Sequence, residues 1–476
     1  MGTKRFGGIA ALAGGIVVVG VVTSTIAVNT AIAAPGDTIG PINPVTQPLA
    51  GHPANSGFLV VVEEDVQLNA DEAEGTLALG GDLTFNSAYN LIGTRPTITV
   101  PGDASHITLF VGGGMVWPDN TGLTLRLLGG TGFAKIADTG TYDVAPVPDG
   151  QSFRIVPPGG GFDTQPRIEG TVPQSAASIE APVPSDLLDI AAAFELYRGT
   201  SALLGSCTPT IDVIPRDGGA AIPSPFPPGT NGRITLVPGQ TNVLNIAAAD
   251  LESLAELTFT TAPTAATPLL VNVTGDFAGS MPNSAGIGSG AAPFILWNFV
   301  DATSVVVTGG DSLEGTIYAP RALVNWQVTQ NVEGNVIANS LIHGMPAAVP
   351  VGTPREIHDF PFAAELTCIE DGDVTPTPTI TPTPTITPTI TPTPTPTITP
   401  TPTGSPTLIT PTPEEPTDTG SPTDPQSPSS TVGSGLPATG GGDPGMLPLI
   451  AGITLGAGSL LLAADTLIRA RRRRRV

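Results

Sequence analysis

Glu74, Glu314 and Glu333 are each followed by glycine, at the head of three related stretches: Glu74-Gly75-Thr76-Leu77, Glu314-Gly315-Thr316-Ile317 and Glu333-Gly334-Asn335-Val336. Carboxylates that recur at one position of a repeating unit stack on neighbouring units, where like charges repel unless a cation or a shared proton intervenes. A bound Ca2+ would relieve that repulsion, which makes Glu314 and Glu333 candidate metal ligands. The competing assignment has each glutamate accept backbone N–H bonds at its own turn, because one repeated acid is a sparse ligand set for calcium. His52, His106, His343 and His358 are scattered without HExxH spacing, and no G-x-S-x-G stretch occurs. No catalytic residue is assigned, and an enzyme is not expected.

The elements that would position these acids follow from the same repeat. With the glutamate as position zero, apolar residues recur at plus three (Leu77, Ile317, Val336), plus five (Leu79, Ala319, Ala338) and plus nine (Leu83, Leu323, Ile342). Alternation at plus three and plus five is strand-like, and the glycine marks a tight bend. A period of about nineteen to twenty residues suits one coil of a β-solenoid, in which each coil covers the apolar edge of the next. Further strand segments are GFLVVVEEDVQL, HITLFVGGGMVW, GLTLRLLGG, RITLVPG, PLLVNVTG and FILWNFVDATSVVVTGG, all separated by turn residues. One interruption, residues 185–204, spaces Leu187, Ile190, Ala191, Phe194 and Tyr197 as on a helix, with Ser185 or Asp186 as N-cap. The expected fold is mainly β: a solenoid with one amphipathic helix packed on its side.

The ends of the chain carry different signals. Residues 1–33 have the form of an export signal, with Lys4 and Arg5 before an apolar run and small residues at Ala31 and Ala33; cleavage falls before Ala34. At the other end, residues 436–476, the order is Leu436-Pro437-Ala438-Thr439-Gly440, an apolar segment over 446–464, and a terminal arginine cluster. Such a segment is long enough to span a bilayer as a helix, and the arginines hold its end on the cytoplasmic side. This order resembles the LPXTG-type sorting signal of Gram-positive sortase substrates. The resemblance implies that a sortase cysteine attacks the carbonyl of Thr439, that Gly440 leaves with the tail, and that peptidoglycan resolves the thioester. Thr439 is then a substrate atom of another enzyme.

Residues 374–435 are a Thr/Pro-rich linker in which proline removes backbone donors and favours extended polyproline II. At about 3.1 Å per residue, such a stalk reaches on the order of 150–190 Å, enough to cross a thick wall. Its threonines are candidate O-glycan acceptors. The remaining domain, 34–373, closes on the acidic EDGD stretch at 370–373. Between Ala34 and Thr439 stand ten Lys+Arg against 39 Asp+Glu, a formal charge of −29, so nucleic acid is not an expected partner. Lys135 is the single lysine of that span, which leaves room for at most one Lys–Asn isopeptide crosslink. Cys207 and Cys368 are the two cysteines; export permits a disulfide between them, with two free thiols as the alternative.

The pieces EGTLALGGDLTF, SDLLDIAAAFELY, FILWNF…TSVVVTGG…EGTIYAPRALV and EGNVIANSLIHG…EIHDFPF resemble the choice-of-anchor A domain of bacterial surface proteins, over residues 55 to 365. The resemblance implies an exported, surface-held protein without assigned enzymatic activity, and an architecture similar to ice-binding-type solenoids. The expected function is a cell-wall-anchored structural or adhesive display module that meets an extracellular matrix, glycan or cell-surface ligand. The alternatives are a carbohydrate-active enzyme, which would set Glu314 and Glu333 in a cleft with Trp297 or Trp326 as sugar platform, and an ice-binding adhesin. The latter needs a repeated threonine ladder on the surface, and Thr316, expected to be exposed, is answered by Asn335.

Overall fold

The computed structural model describes residues 36–371, apart from 120–121, 131, 149 and 346–354. Ala31, Ala33 and Ala34, the linker at 374–435 and the sorting segment 436–476 with its apolar stretch all lie outside the described residues. Among the described residues no helix is long and apolar enough to cross a membrane.

The described chain is mainly β, without a closed barrel. Its apolar runs are continuous because the central strands are covered on both faces. In Val60–Val62 all three valines are buried. Val60 and Val62 join an inner core with Leu77, Leu79, Ile317 and Val336, while Val61 turns to a second core with Ala78, Tyr318 and Ile337. Period-two alternation thus feeds two cores from one strand.

Two large sheets, of 13 and nine strands, carry these cores and consist mostly of parallel pairs. Ile317 stands opposite Val336, nineteen residues on, as the repeat requires. Other rungs differ in length: Val60 pairs with Leu77 and Leu269 with Ile295. Loops and insertions absorb the difference, so the nineteen-residue period is local. The order of rungs also departs from chain order. The first rung, Val60–Val62 with Val66–Leu68, lies between the late strand Val336–His343 and the second rung, Leu77–Leu79 with Leu83–Phe85.

Glycine after the repeated glutamates has a steric cause. Gly315 and Gly334 have φ of +123° and +158°. A Cβ on Gly334 would stand 2.6 Å from the Gly315 carbonyl oxygen, and one on Gly315 would stand 2.7 Å from that of Ile295. Stacked rungs approach too closely there for a side chain.

The expected helix is not alone, since two short helices, Ala176–Glu180 and Ala248–Ser253, also occur; it spans Ile190–Gly205 and starts later than its apolar spacing predicts. Its N-cap is Asp189, whose carboxylate accepts from the Ala192 N–H at 2.9 Å, and not Ser185 or Asp186. Ala191 is exposed; the buried stripe is Ile190, Ala193, Phe194, Tyr197, Ser201 and Leu204. Phe194, Tyr197 and Tyr318 meet edge-on in the second core, with ring centroids 5.4 and 5.7 Å apart.

Beneath the helix end runs a ladder of asparagines. Asn245, Asn272 and Asn298 occupy one register position on successive parallel strands. Asn298 Nδ2 donates to Asn272 Oδ1 at 2.8 Å, and Asn272 Nδ2 donates to Asn245 Oδ1 at 3.0 Å. The same amides donate to the carbonyls of Ser201 and Leu204, and Asn245 donates to that of Cys207. Carbonyls at a helix C-terminus lack intrahelical partners, and this ladder supplies them.

Just past the helix, Cys207 is disulfide-bonded to Cys368, with Cα atoms 5.7 Å apart. Cys368 lies in Leu366–Ile369, which pairs antiparallel with Thr38–Ile42. Lys135 is buried, with Nζ 2.6 Å from Asp103 Oδ2 and donating to the Ser178 carbonyl; Ser178 Oγ donates in turn to Asp103 Oδ1.

Candidate functional site

Leu313, Val332, Ile357, Ala73 and Leu91 point into the inner core from one position of the nine-stranded sheet. Their chain neighbours therefore face away from it. Glu314 stands opposite Glu333, and Glu333 opposite His358. Glu356 pairs with Glu72 and Ile357 with Ala73, so one further residue along that register places His358 beside Glu74. The three repeated glutamates thus fall in one column, with a histidine between Glu333 and Glu74.

His358 organises this column. Its Nδ1 lies 2.8 Å from Glu333 Oε2 and its Nε2 lies 2.8 Å from Glu356 Oε2. Hydrogen bonding to Glu333 foremost, opposed by burial and reinforced by Glu356 and by the charges of Glu333 and Glu74, raises its pKa to about 9. The ring is therefore an imidazolium at neutral pH, donating to both carboxylates. Glu74 Oε2 accepts from the Asp359 N–H at 3.2 Å, and Asp359 pairs with Arg95 at the margin. Burial pushes the Glu314 carboxyl up, an effect that Ser284 opposes by hydrogen bonding and the charges of Asp311 and Glu333 reinforce. Burial likewise raises Asp71 and Glu72, with the negative charge of Glu356 adding to both.

Glu314 and Glu333, the sequence's candidates for Ca2+, are in register but differently engaged. Glu333 is buried and committed to His358, whereas Glu74, Glu356 and His358 bring donor atoms within 4.8 Å of one another. Sequence reasoning missed Glu356 and His358 because the segment before them lengthens the spacing beyond the repeat. The usable signal was the alternation in Glu356-Ile357-His358 after the Glu333-Gly334 head.

The other histidines lie elsewhere. His343 is fully buried, its Nδ1 2.8 Å from the Tyr89 hydroxyl, and burial together with the Arg355 charge lowers its pKa to about 3. His52 Nδ1 contacts the carbonyl of Pro53 and the hydroxyl of Ser56. Trp297 and Trp326 are 1% exposed, their indole N–H groups donating to the carbonyls of Glu314 and Gln330, so neither offers a platform for a sugar. Thr316 and Asn335 are both fully buried, which corrects the expectation of an exposed Thr316. Glu370 forms an antiparallel bridge with Cys207. Leu436, Pro437, Ala438, Thr439 and Gly440 are outside the described residues.

A second surface lies on the 13-stranded sheet. Val306, Asn325, Ile342, Gln67 and Thr84 share one register row across five parallel strands, each half-buried. At one end of the row, Gln67, Thr84 and Ile342 line a shallow groove of about 420 Å³ bordered by Asp65, Asp82 and Val116. Amide, hydroxyl and aliphatic groups alternate along this row, with carboxylates at its border.

The rungs, the flanking helix and this open sheet face coincide with one family. Residues 52–348 match the family described as "Putative Ice-binding-like adhesive domain". The chain belongs to that family. No curated protein matches the chain. The adhesive domain takes in the row from Gln67 to Ile342, together with Glu74, Glu314 and Glu333; Glu356 and His358 follow its last matched residue and complete the column from outside the span.

Proposed function

We propose that the chain is an exported surface adhesin whose stacked rungs form a β-solenoid of the choice-of-anchor A type. The membership of residues 52–348 in the adhesive family is the observation that carries this reading. The row Val306, Asn325, Ile342, Gln67 and Thr84 is the contact face, and it meets a matrix, glycan or neighbouring-cell ligand. The stalk at 374–435 holds the domain away from the membrane. A sortase joins Thr439 to peptidoglycan, and the segment 446–464 retains the chain in the membrane until then. The acidic balance between Ala34 and Thr439 disfavours nucleic acid and leaves neutral or basic surfaces as partners.

Cell fractionation of the wild type beside Thr439→Ala, paired with an attachment assay, tests this. Wild type is expected in the wall fraction, and the variant in membrane or medium with loss of cell attachment. Both proteins in the membrane would rule out sorting. Wall-bound protein without any effect on attachment would rule out the adhesive role.

A further inference from the structure

We propose that Glu74, Glu356 and His358 bind one transition-metal dication of the Zn2+ class, at a site independent of the adhesive face. The donor atoms lie within 4.8 Å of one another and are half-buried. They come from two adjacent rungs, Glu74 directly after Glu72–Ala73 and the other two within Glu356–His358. With metal–ligand bonds of about 2.0–2.1 Å, tetrahedral donors stand roughly 3.3 Å apart, so the His358–Glu356 pair has to open by only about half an ångström. Its present Nε2–Oε2 distance is 2.8 Å.

The surroundings orient the ring for a metal on one nitrogen. Glu333 is 7% exposed and accepts from Nδ1 at 2.8 Å, which leaves Nε2 as the ligand atom. A carboxylate behind a ligating imidazole fixes its orientation and raises its basicity. Asp359 Oδ1, beside the contact between the Asp359 N–H and Glu74, is buried without a hydrogen-bond partner and has lone pairs to spare. One imidazole nitrogen with carboxylate oxygens suits Zn2+ or Mn2+, whereas Ca2+ takes six to eight oxygens.

Glu74, Glu333 and Glu356 surround one imidazole. A metal on Nε2 requires that nitrogen without its proton, which leaves to solvent on binding. The metal would clasp the first rung to the last, joining segments that lie 285 residues apart at the Glu74–Asp359 contact.

The test is calorimetric titration of the full chain, stripped with EDTA and dialysed, with ZnCl2 alone and CaCl2 alone. Two buffers of different ionisation heat report the proton. One Zn2+ per chain, release of about one proton and a raised thermal midpoint are expected, with no response to Ca2+. Glu74→Gln and His358→Gln each weaken Zn2+ binding by at least about tenfold, and Glu333→Gln by about 10–100-fold through orientation alone. Glu72→Gln leaves affinity unchanged. Glu74→Gln keeps both hydrogen bonds of His358, so it remains informative should His358→Gln fail to fold. Absence of Zn2+ binding in large excess, or equal binding by wild type and Glu74→Gln, would overturn the proposal. Neither result would bear on wall fractionation or attachment.

Discussion

Two histidines in one domain are set to opposite charge states by their surroundings. His343 is neutral because burial and the Arg355 charge lower its pKa to about 3. An unfolded chain would protonate it near pH 6.5, so as pH falls from there towards 3 the unfolded state binds a proton that the folded state refuses. Stability contributed in this way is complete above about 6.5 and declines by about 1.4 kcal/mol per pH unit below it. Denaturant unfolding from pH 7 to pH 4 should show this loss. His343→Leu should remove about one proton from the slope, and an unchanged slope would contradict the assignment. Lys135 poses a different cost. Removal of one member of a buried, hydrogen-bonded pair strands the other charge, so Lys135→Met should cost about 3–5 kcal/mol. The double change Lys135→Met with Asp103→Leu should cost less, a difference that a double-mutant cycle in urea would measure.

At the scale of elements, the helix Ile190–Gly205 is held by packing along its length and by amides at its end. Phe194 is fully buried between helix and sheet, and Phe194→Ala should cost about 3–5 kcal/mol by lost burial and the cavity left behind. Asn272→Ala removes one donor to the Leu204 carbonyl, which keeps the Cys207 N–H, and the acceptor of the Asn298 amide, which keeps the Ser201 carbonyl; about 1–3 kcal/mol is expected for the hydrogen bonds lost. Hydrogen exchange should then quicken at the helix C-terminus and leave its start at Asp189 protected. The ladder was legible in the sequence: LNI, VNV and WNF at residues 244–246, 271–273 and 297–299 set one asparagine between apolar residues at a near-constant interval. Inside parallel strands that interval stacks identical amides. The N-cap was harder to place, because Ser185, Asp186 and Asp189 are all competent cappers and the choice rests on where the chain leaves the turn after Pro184.

Closure of the whole domain depends on chain segments far apart in sequence. The strand Val60–Val62 has Leu77–Leu79 on one side and waits for Val336–His343 on the other. A chain ending before Val336 leaves that edge unpaired and should aggregate, whereas one ending at residue 371 keeps every described strand and should fold; circular dichroism and light scattering would separate the two. The disulfide closes a loop of 161 residues, and its reduction should lower stability by about 2–5 kcal/mol in denaturant unfolding, mostly through greater freedom of the unfolded chain.

What the sequence determined by itself is local. Short continuous apolar runs such as FLVVV and PLLV specify strands, the apolar spacing from Leu187 to Tyr197 specifies a helix, and glycine after Glu314 and Glu333 specifies close rung contact. The tertiary structure decided which rungs are neighbours, and with that the column Glu314, Glu333, His358 and Glu74. A side chain's place on a sheet follows from pairing register, and register between rungs is set in space by the packing of both cores. No spacing within one rung announces that Glu74 and His358, from opposite ends of the domain, will stand side by side.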